Sequence, residues 1–287
     1  MFESNLNIEK VHKVMVNHLA DYVMNNKLHA CVLGVSGGID STVVAVIIHD
    51  VQRELKERGY HVFKFVGVSM PTKTTNPDEF WISELVGRSL CDEFKVLDID
   101  SEVESIVIPQ IDSDNLYNEG VRMLNNRYRI GNVKSRLRMI HLYDLAKAYG
   151  GIVVGTDNKT ELMLGYSTIG GDGLFDYCPI QHLWKTEVYN LAQYYKQRAI
   201  EFEMWDVVHA INESINIPPQ AGLGISATDM DEIHAPNYLA VDTVLYNDEN
   251  NLPQPDEVYV KYVLDRKKVN AYKRNLPIVI NRENFED

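Results

Sequence analysis

Apolar residues recur every three or four positions from Ile8 to Val23 (Ile8, Val11, Met15, Leu19, Val23), which predicts an amphipathic helix over 8–26. The pattern then changes. "ACVLGV" (30–35) is short and wholly apolar, as expected of a strand buried on both faces. A turn, "SGGID", separates it from "STVVAVIIHDVQRELKERG", which reads as a helix with Gly59 placed to end it. "HVFKFVGV" (61–68) predicts a second strand, "PDEFWISELVGRSLCDEF" (77–94) another helix and "KVLDI" (95–99) a third strand. A long polar stretch leads into a helix near 133–149, and "GIVVG" (151–155) gives a fourth strand. Strands alternating with helices predict parallel βαβ units in a doubly wound α/β sheet. After residue 200 the pattern loosens, with "NIPPQAGLGISATD" and "NDENNLPQPDE" reading as loops. The expectation is one domain over 1–287, with an irregular, partly helical C-terminal part.

Composition narrows the functions open to this chain. Its 287 residues are enough for a large core, and 45% hydrophobic with 24% charged is ordinary for a soluble globular protein. No apolar run is long enough to span a bilayer, and "MFESNLNIEKVHKV" lacks the features of a signal peptide. Cys31, Cys91 and Cys178 are scattered singly, which argues against a zinc site or a disulfide framework and fits a reducing cytoplasm. A net charge of −13 argues against general nucleic-acid binding. One stretch breaks the acidic trend. "GVRMLNNRYRIGNVKSRLRMIHLY" (120–143) has six basic residues and no acidic one, reading either as a solvated basic face or as a local anion site.

Three readings of "GVSGGIDS" compete. It matches the G-x-S-x-G nucleophile elbow, but that motif needs an oxyanion N–H from a loop after an earlier strand, and only a helix precedes here. A purely structural turn explains the glycines but not Ser36, Asp40 and Ser41. A phosphate cradle explains all of them. Glycines let N–H groups approach an anion, hydroxyls add donors, and the following helix presents its positive end. Asp40 fits such a loop if it holds a Mg²⁺ that phosphate oxygens share. The stretch is not a Walker A loop, because G-x-x-x-x-G-K-[ST] is absent.

S-G-G-x-D-S after the first strand resembles the pyrophosphate loop of the N-type ATP pyrophosphatases, whose fold is adenine nucleotide alpha hydrolase-like. Further along, "GNVKSRLRMIHLYDLA", "VVGTDNKTELMLGYSTIGGDG" and "LWKTEVYNLA" occur in the order found in the NAD synthetase family, with a weaker echo in "YLAVDTVL" and "NAYKRNLP". The resemblance implies ATP-dependent amidation of deamido-NAD by ammonia through an acyl-adenylate, with AMP and pyrophosphate released. It assigns pyrophosphate and ATP to Gly34, Ser36, Gly37, Gly38, Asp40, Ser41, Thr156 and Lys185. Mg²⁺ falls to Asp40 and Glu161. Deamido-NAD falls to Arg136, Arg138, Asn158, Lys159, Asp176 and Lys273. Asp172 and Asp176, in "GGDGLFD", become candidates for capturing ammonium, and Lys185 for stabilising the leaving pyrophosphate. The resemblance also implies a homodimer. Because only about 30 residues precede the pyrophosphate loop, an amidase domain on this chain is not expected, so nitrogen would come as free ammonia or from a separate ammonia-supplying protein.

The match departs in places. The family's A-R reads Ser135-Arg136, its loop lysine is Ile169, its metal-binding hydroxyl is replaced by Gln220, and its H-K-R reads Tyr272-Lys273-Arg274. Two other readings therefore stay open: another adenylylating ligase or amidotransferase of the same superfamily, or a nucleotide-binding module with weak or lost catalysis.

Overall fold

In a computed structural model, the chain is described over residues 2–107, 119–218 and 228–277. α1 (Ile8–Asn25) starts where the Asn7 side chain accepts from Lys10 N at 2.9 Å. It buries Met15, Leu19 and Val23 as the apolar period requires. β1 (Ala30–Gly34) follows, then α2 (Ile39–Glu57), which Gly59 ends at φ +82°. β2 (Lys64–Ser69) pairs with β1. α3 (Pro77–Leu90), β3 (Glu93–Val96) and α4 (Asp100–Ile106) complete the first half. α5 (Glu119–Ala148) and β4 (Ile152–Val154) carry the chain back to the sheet.

The sheet is parallel in the order β3-β2-β1-β4. Val32 of β1 faces Val66 of β2 on one side and Val153 of β4 on the other. Alternate strand residues serve opposite faces. Cys31, Leu33 and Phe65 pack under α1 and α2, whereas Val32, Val66, Val68 and Val153 pack against α4 and α5. The doubly wound α/β expectation therefore holds. Strand order reverses between β1 and β4, and a crevice opens at the carboxyl ends of those two strands.

Element boundaries moved in three places. The helix expected over 77–94 stops at Leu90, and the strand expected at 95–99 runs over Glu93–Val96. Phe94 explains this: its ring fills the slot left by Gly67 of β2 and Gly87 of α3, where a Cβ would come within 3.3 and 2.1 Å of it. The second strand begins at Lys64 rather than His61. The helix expected near 133–149 is α5, which already begins at Glu119.

The C-terminal region is more regular than expected. α6 (Lys159–Leu164), α7 (Lys185–Glu201), α8 (Trp205–Asn216), α9 (Asp229–Ile233), α10 (Tyr238–Glu249) and α11 (Val258–Val269) are all helical. α7 and α8 join the core beneath β1, while α6, α10 and α11 enclose a second apolar cluster around Leu164, Trp184, Val244 and Val263. Among the described residues, no helix is long and apolar enough to cross a membrane.

Candidate active site

The crevice at the β1/β4 switch is a cleft of about 850 Å³. Its first wall is the turn between β1 and α2. Gly37 sits at φ +89°, and a Cβ there would lie 1.9 Å from the Glu79 carbonyl oxygen, so only glycine fits. Ser36 Oγ lies 3.0 Å from Ser41 Oγ and accepts from Gly38 N at 3.2 Å. Ser41 Oγ in turn donates to Gly38 O. Ser214 of α8 clamps the turn from behind, donating to Gly37 O at 3.3 Å. No side chain caps the first turn of α2, so its leading N–H groups lack a side-chain acceptor, an arrangement suited to an anion. Gly34, Ser36, Gly38, Asp40 and Ser41 line the cleft.

Three charged residues from different elements meet beside this turn. Lys185, at the start of α7, is almost completely buried. Its ammonium donates to Asp40 Oδ2 of α2 at 2.5 Å and to Glu161 Oε1 of α6 at 2.9 Å. Burial alone would lower the Lys185 pKa, but Asp40 and Glu161 reverse that and hold it well above its ordinary value. Burial first and Asp40 second raise that of Glu161, against the opposing pull of Lys185. Asn158 sets the register. Its carboxamide donates to Asp40 Oδ1 at 2.8 Å, while its oxygen caps α6 by accepting from Glu161 N. Behind this, buried Asp242 accepts from the Thr160 and Thr186 hydroxyls and from Thr186 N, tying α10 to α6 and α7.

The remaining expected residues divide. Thr156, Arg138, Asp172 and Lys273 line the cleft. Arg138 and Lys134, four apart on α5, share its cleft-facing side as their spacing implies. Arg138 is held by two bonds of 3.1 Å to Met70 O. Lys273 donates to Gly165 O and Ser167 O. Arg136 is exposed away from the cleft, and its Nε donates to Ile169 O at 3.1 Å. Lys159 pairs with Glu249 and stacks over Trp184. Asp176 accepts from Val153 N and Tyr143 OH, pinning the segment after the GGDG turn to β4. Gln220 lies outside the described residues.

Sequence reasoning missed several supports. Ser135, where the family has alanine, both donates to Asp172 Oδ1 and accepts from Asp172 N, each at 2.9 Å. Asp242 was legible only as an acid inside the apolar "YLAVDTVL"; Ser214 left no signal at all. Among the described residues, no three His, Cys, Asp or Glu side chains converge closely enough to hold a metal by themselves.

A family model described as NAD synthase matches residues 11–277. An NH3-dependent NAD+ synthetase of Thermoplasma acidophilum is 33% identical over 88% of this chain and 90% of its own. Among solved structures, an NH3-dependent NAD synthetase from Campylobacter jejuni is 27% identical with a TM-score of 0.67, over 96% of this chain and all of the other. An NMN synthetase from Francisella tularensis has a TM-score of 0.75 at 24% identity, over 96% of this chain and all of its own, a likeness of fold alone.

Proposed function

Because the chain belongs to the NAD synthase family, we propose that it converts deamido-NAD to NAD with ATP and ammonia, releasing AMP and pyrophosphate. The observation that carries the reading is Lys185 fixed between Asp40 and Glu161 at the mouth of a glycine turn built for phosphate. The family relation favours this over another adenylylating ligase or a module without catalysis.

Two substitutions make up the reaction. A nicotinate carboxylate oxygen attacks the α-phosphorus of ATP, forming an O–P bond as the bond to pyrophosphate breaks. Ammonia then attacks the acyl carbon, the C–O bond to AMP breaks, and the nitrogen sheds a proton. No enzyme nucleophile is required. Ser36, Ser41 and the first turn of α2 hold the departing pyrophosphate, and Lys185 stabilises the charge that grows on it. Thr156 borders the ATP side. Arg138 and Lys273 supply cations for the acceptor's anionic groups.

Asp40 and Glu161 fit a hard cation, since two carboxylates already converge on one ammonium. They would hold Mg²⁺, which when bound would supply positive charge to neutralise phosphate. We further place the protein in the cytoplasm as a single-domain homodimer, with ammonia arriving free or from a separate protein.

The test is product analysis with ATP, Mg²⁺, ammonium chloride and a panel of carboxylate acceptors including deamido-NAD and nicotinate mononucleotide. Phosphorus NMR should show AMP and pyrophosphate, with amide formed from deamido-NAD. ADP and orthophosphate would overturn the phosphate-loop assignment; amide from the mononucleotide alone would overturn the acceptor. Light scattering at working concentration checks the dimer.

A further inference from the structure

Three residues of α5, Asn132, Ser135 and Arg136, grip the loop from Thr168 to Gly173. Their spacing, i, i+3 and i+4, puts them side by side on one helix face. Asn132 Oδ1 accepts from Thr168 Oγ1 at 2.8 Å, and Arg136 Nε donates to Ile169 O at 3.1 Å. Ser135 is buried between helix and loop and makes two bonds at once. It donates to Asp172 Oδ1 and accepts from Asp172 N. Gly171 admits this contact, because a Cβ there would lie 2.4 Å from Ser135 Oγ. Asp172 Oδ1 then closes the loop on itself by accepting from Thr168 N at 2.7 Å.

Two departures from the family pattern meet at this contact. Ser135 stands where the family has alanine, and Ile169 where it has lysine. The Ile169 side chain is exposed and uncharged, so it gives an anionic substrate nothing by which to draw the loop into place. The Ser135 hydroxyl supplies order from the protein side instead. Asp172 matters beyond its own loop. Burial lowers the pKa of Arg138 and of Lys273, the two cations placed for the acceptor, and the Asp172 charge opposes that shift at both. A fixed Asp172 therefore fixes the field in which an anionic acceptor docks.

We propose that Ser135 is a positioning residue, holding the 168–173 loop and its Asp172 in the acceptor-binding arrangement before any substrate arrives. The kinetic consequence rests on the amidation reading above; the ordering of the loop does not. An ordered loop spares the acceptor the conformational cost of arranging it, so the benefit falls on acceptor affinity. The phosphate side of the site, on α2, α6 and α7, lies outside this contact.

Ser135→Ala removes the hydroxyl and leaves a residue that suits a helix, the one the family itself carries. Hydrogen exchange of the substrate-free protein, read by NMR at the amides of Thr168, Gly171 and Leu174, tests the ordering. None of these amides bonds to Ser135: they donate to Asp172 Oδ1, Thr168 O and Gly171 O. In the wild type they should be protected, and deamido-NAD should change their exchange by less than about twofold. In Ser135→Ala their exchange should rise about tenfold or more, the loss expected for a bond to a charged group, with β1 and β4 unchanged. In turnover the variant's KM for deamido-NAD should rise about tenfold, with kcat and the KM for ATP within about twofold. Wild-type amides protected only once deamido-NAD binds overturn the proposal, as does equal exchange in the two proteins. Faster exchange throughout the sheet would make Ser135 a general structural residue and overturns it too, as does a fall in kcat at unchanged KM. Wild-type protein that forms no amide from any acceptor contradicts the amidation reading instead, and the exchange result then decides the role of Ser135 by itself.

Discussion

Lys185 is the residue on which most depends. Its charge is fixed by two carboxylates, and its Nζ lies over the Tyr238 ring, 5.3 Å from the ring centre. Lys185→Met should lower kcat by about a hundredfold to a thousandfold, the loss typical of one preorganised donor at developing charge. It also leaves Asp40 and Glu161 facing each other unpaired, so the variant should melt lower without Mg²⁺ and regain part of that loss with it. Melting curves with and without Mg²⁺ check this, and no recovery would count against those carboxylates as the metal pair. Asp40→Asn and Glu161→Gln should each raise the Mg²⁺ concentration needed for turnover; either at full activity in low Mg²⁺ is not a ligand. Gly37→Ala should abolish ATP binding or folding, because a Cβ 1.9 Å from Glu79 O forces the turn open. These residues were legible because phosphate chemistry needs glycine, hydroxyl and acid at fixed spacing. Arg136 and Lys159, assigned by resemblance rather than by spacing, do not line the cleft: Arg136 donates to Ile169 O and Lys159 pairs with Glu249.

At the scale of elements, helices with one apolar stripe were legible and their ends were not. α3 stops at Leu90 because Phe94 is needed on the sheet, a long-range demand that no local periodicity records. α10 hid for a different reason: it buries Val241, Asp242, Thr243, Val244 and Leu245 in succession, leaving no polar stripe. Asp242 makes this junction pH-dependent. Burial pushes its pKa up to about 6, against hydrogen bonds from Thr160 and Thr186. Its folded value is thus above its unfolded one, so the native state binds more protons between pH about 4 and 6. Stability from this group is present below that window and lost as pH rises through it. The difference is on the order of 3 kcal/mol. Asp242→Asn has no such titration. Wild type should therefore gain on the variant, in melting temperature, as pH falls from 7 to 4. A constant gap across that range would place the titration elsewhere.

For the whole molecule, alternating strands and helices were enough to foresee a parallel sheet, and its β3-β2-β1-β4 order opens the crevice where strand order reverses. Asp40, Arg138, Glu161, Asp172, Lys185 and Lys273 all line that crevice, although they are spread from residue 40 to residue 273. The central claim is that the acceptor's own carboxylate is adenylylated there before nitrogen arrives. Oxygen-18 placed in the nicotinate carboxylate of deamido-NAD tests it in one measurement. After turnover with ATP, Mg²⁺ and ammonium, mass spectrometry should find one labelled oxygen in the phosphate of AMP, matched to the NAD formed. NAD formed with unlabelled AMP, the label appearing in pyrophosphate or water instead, would contradict the account.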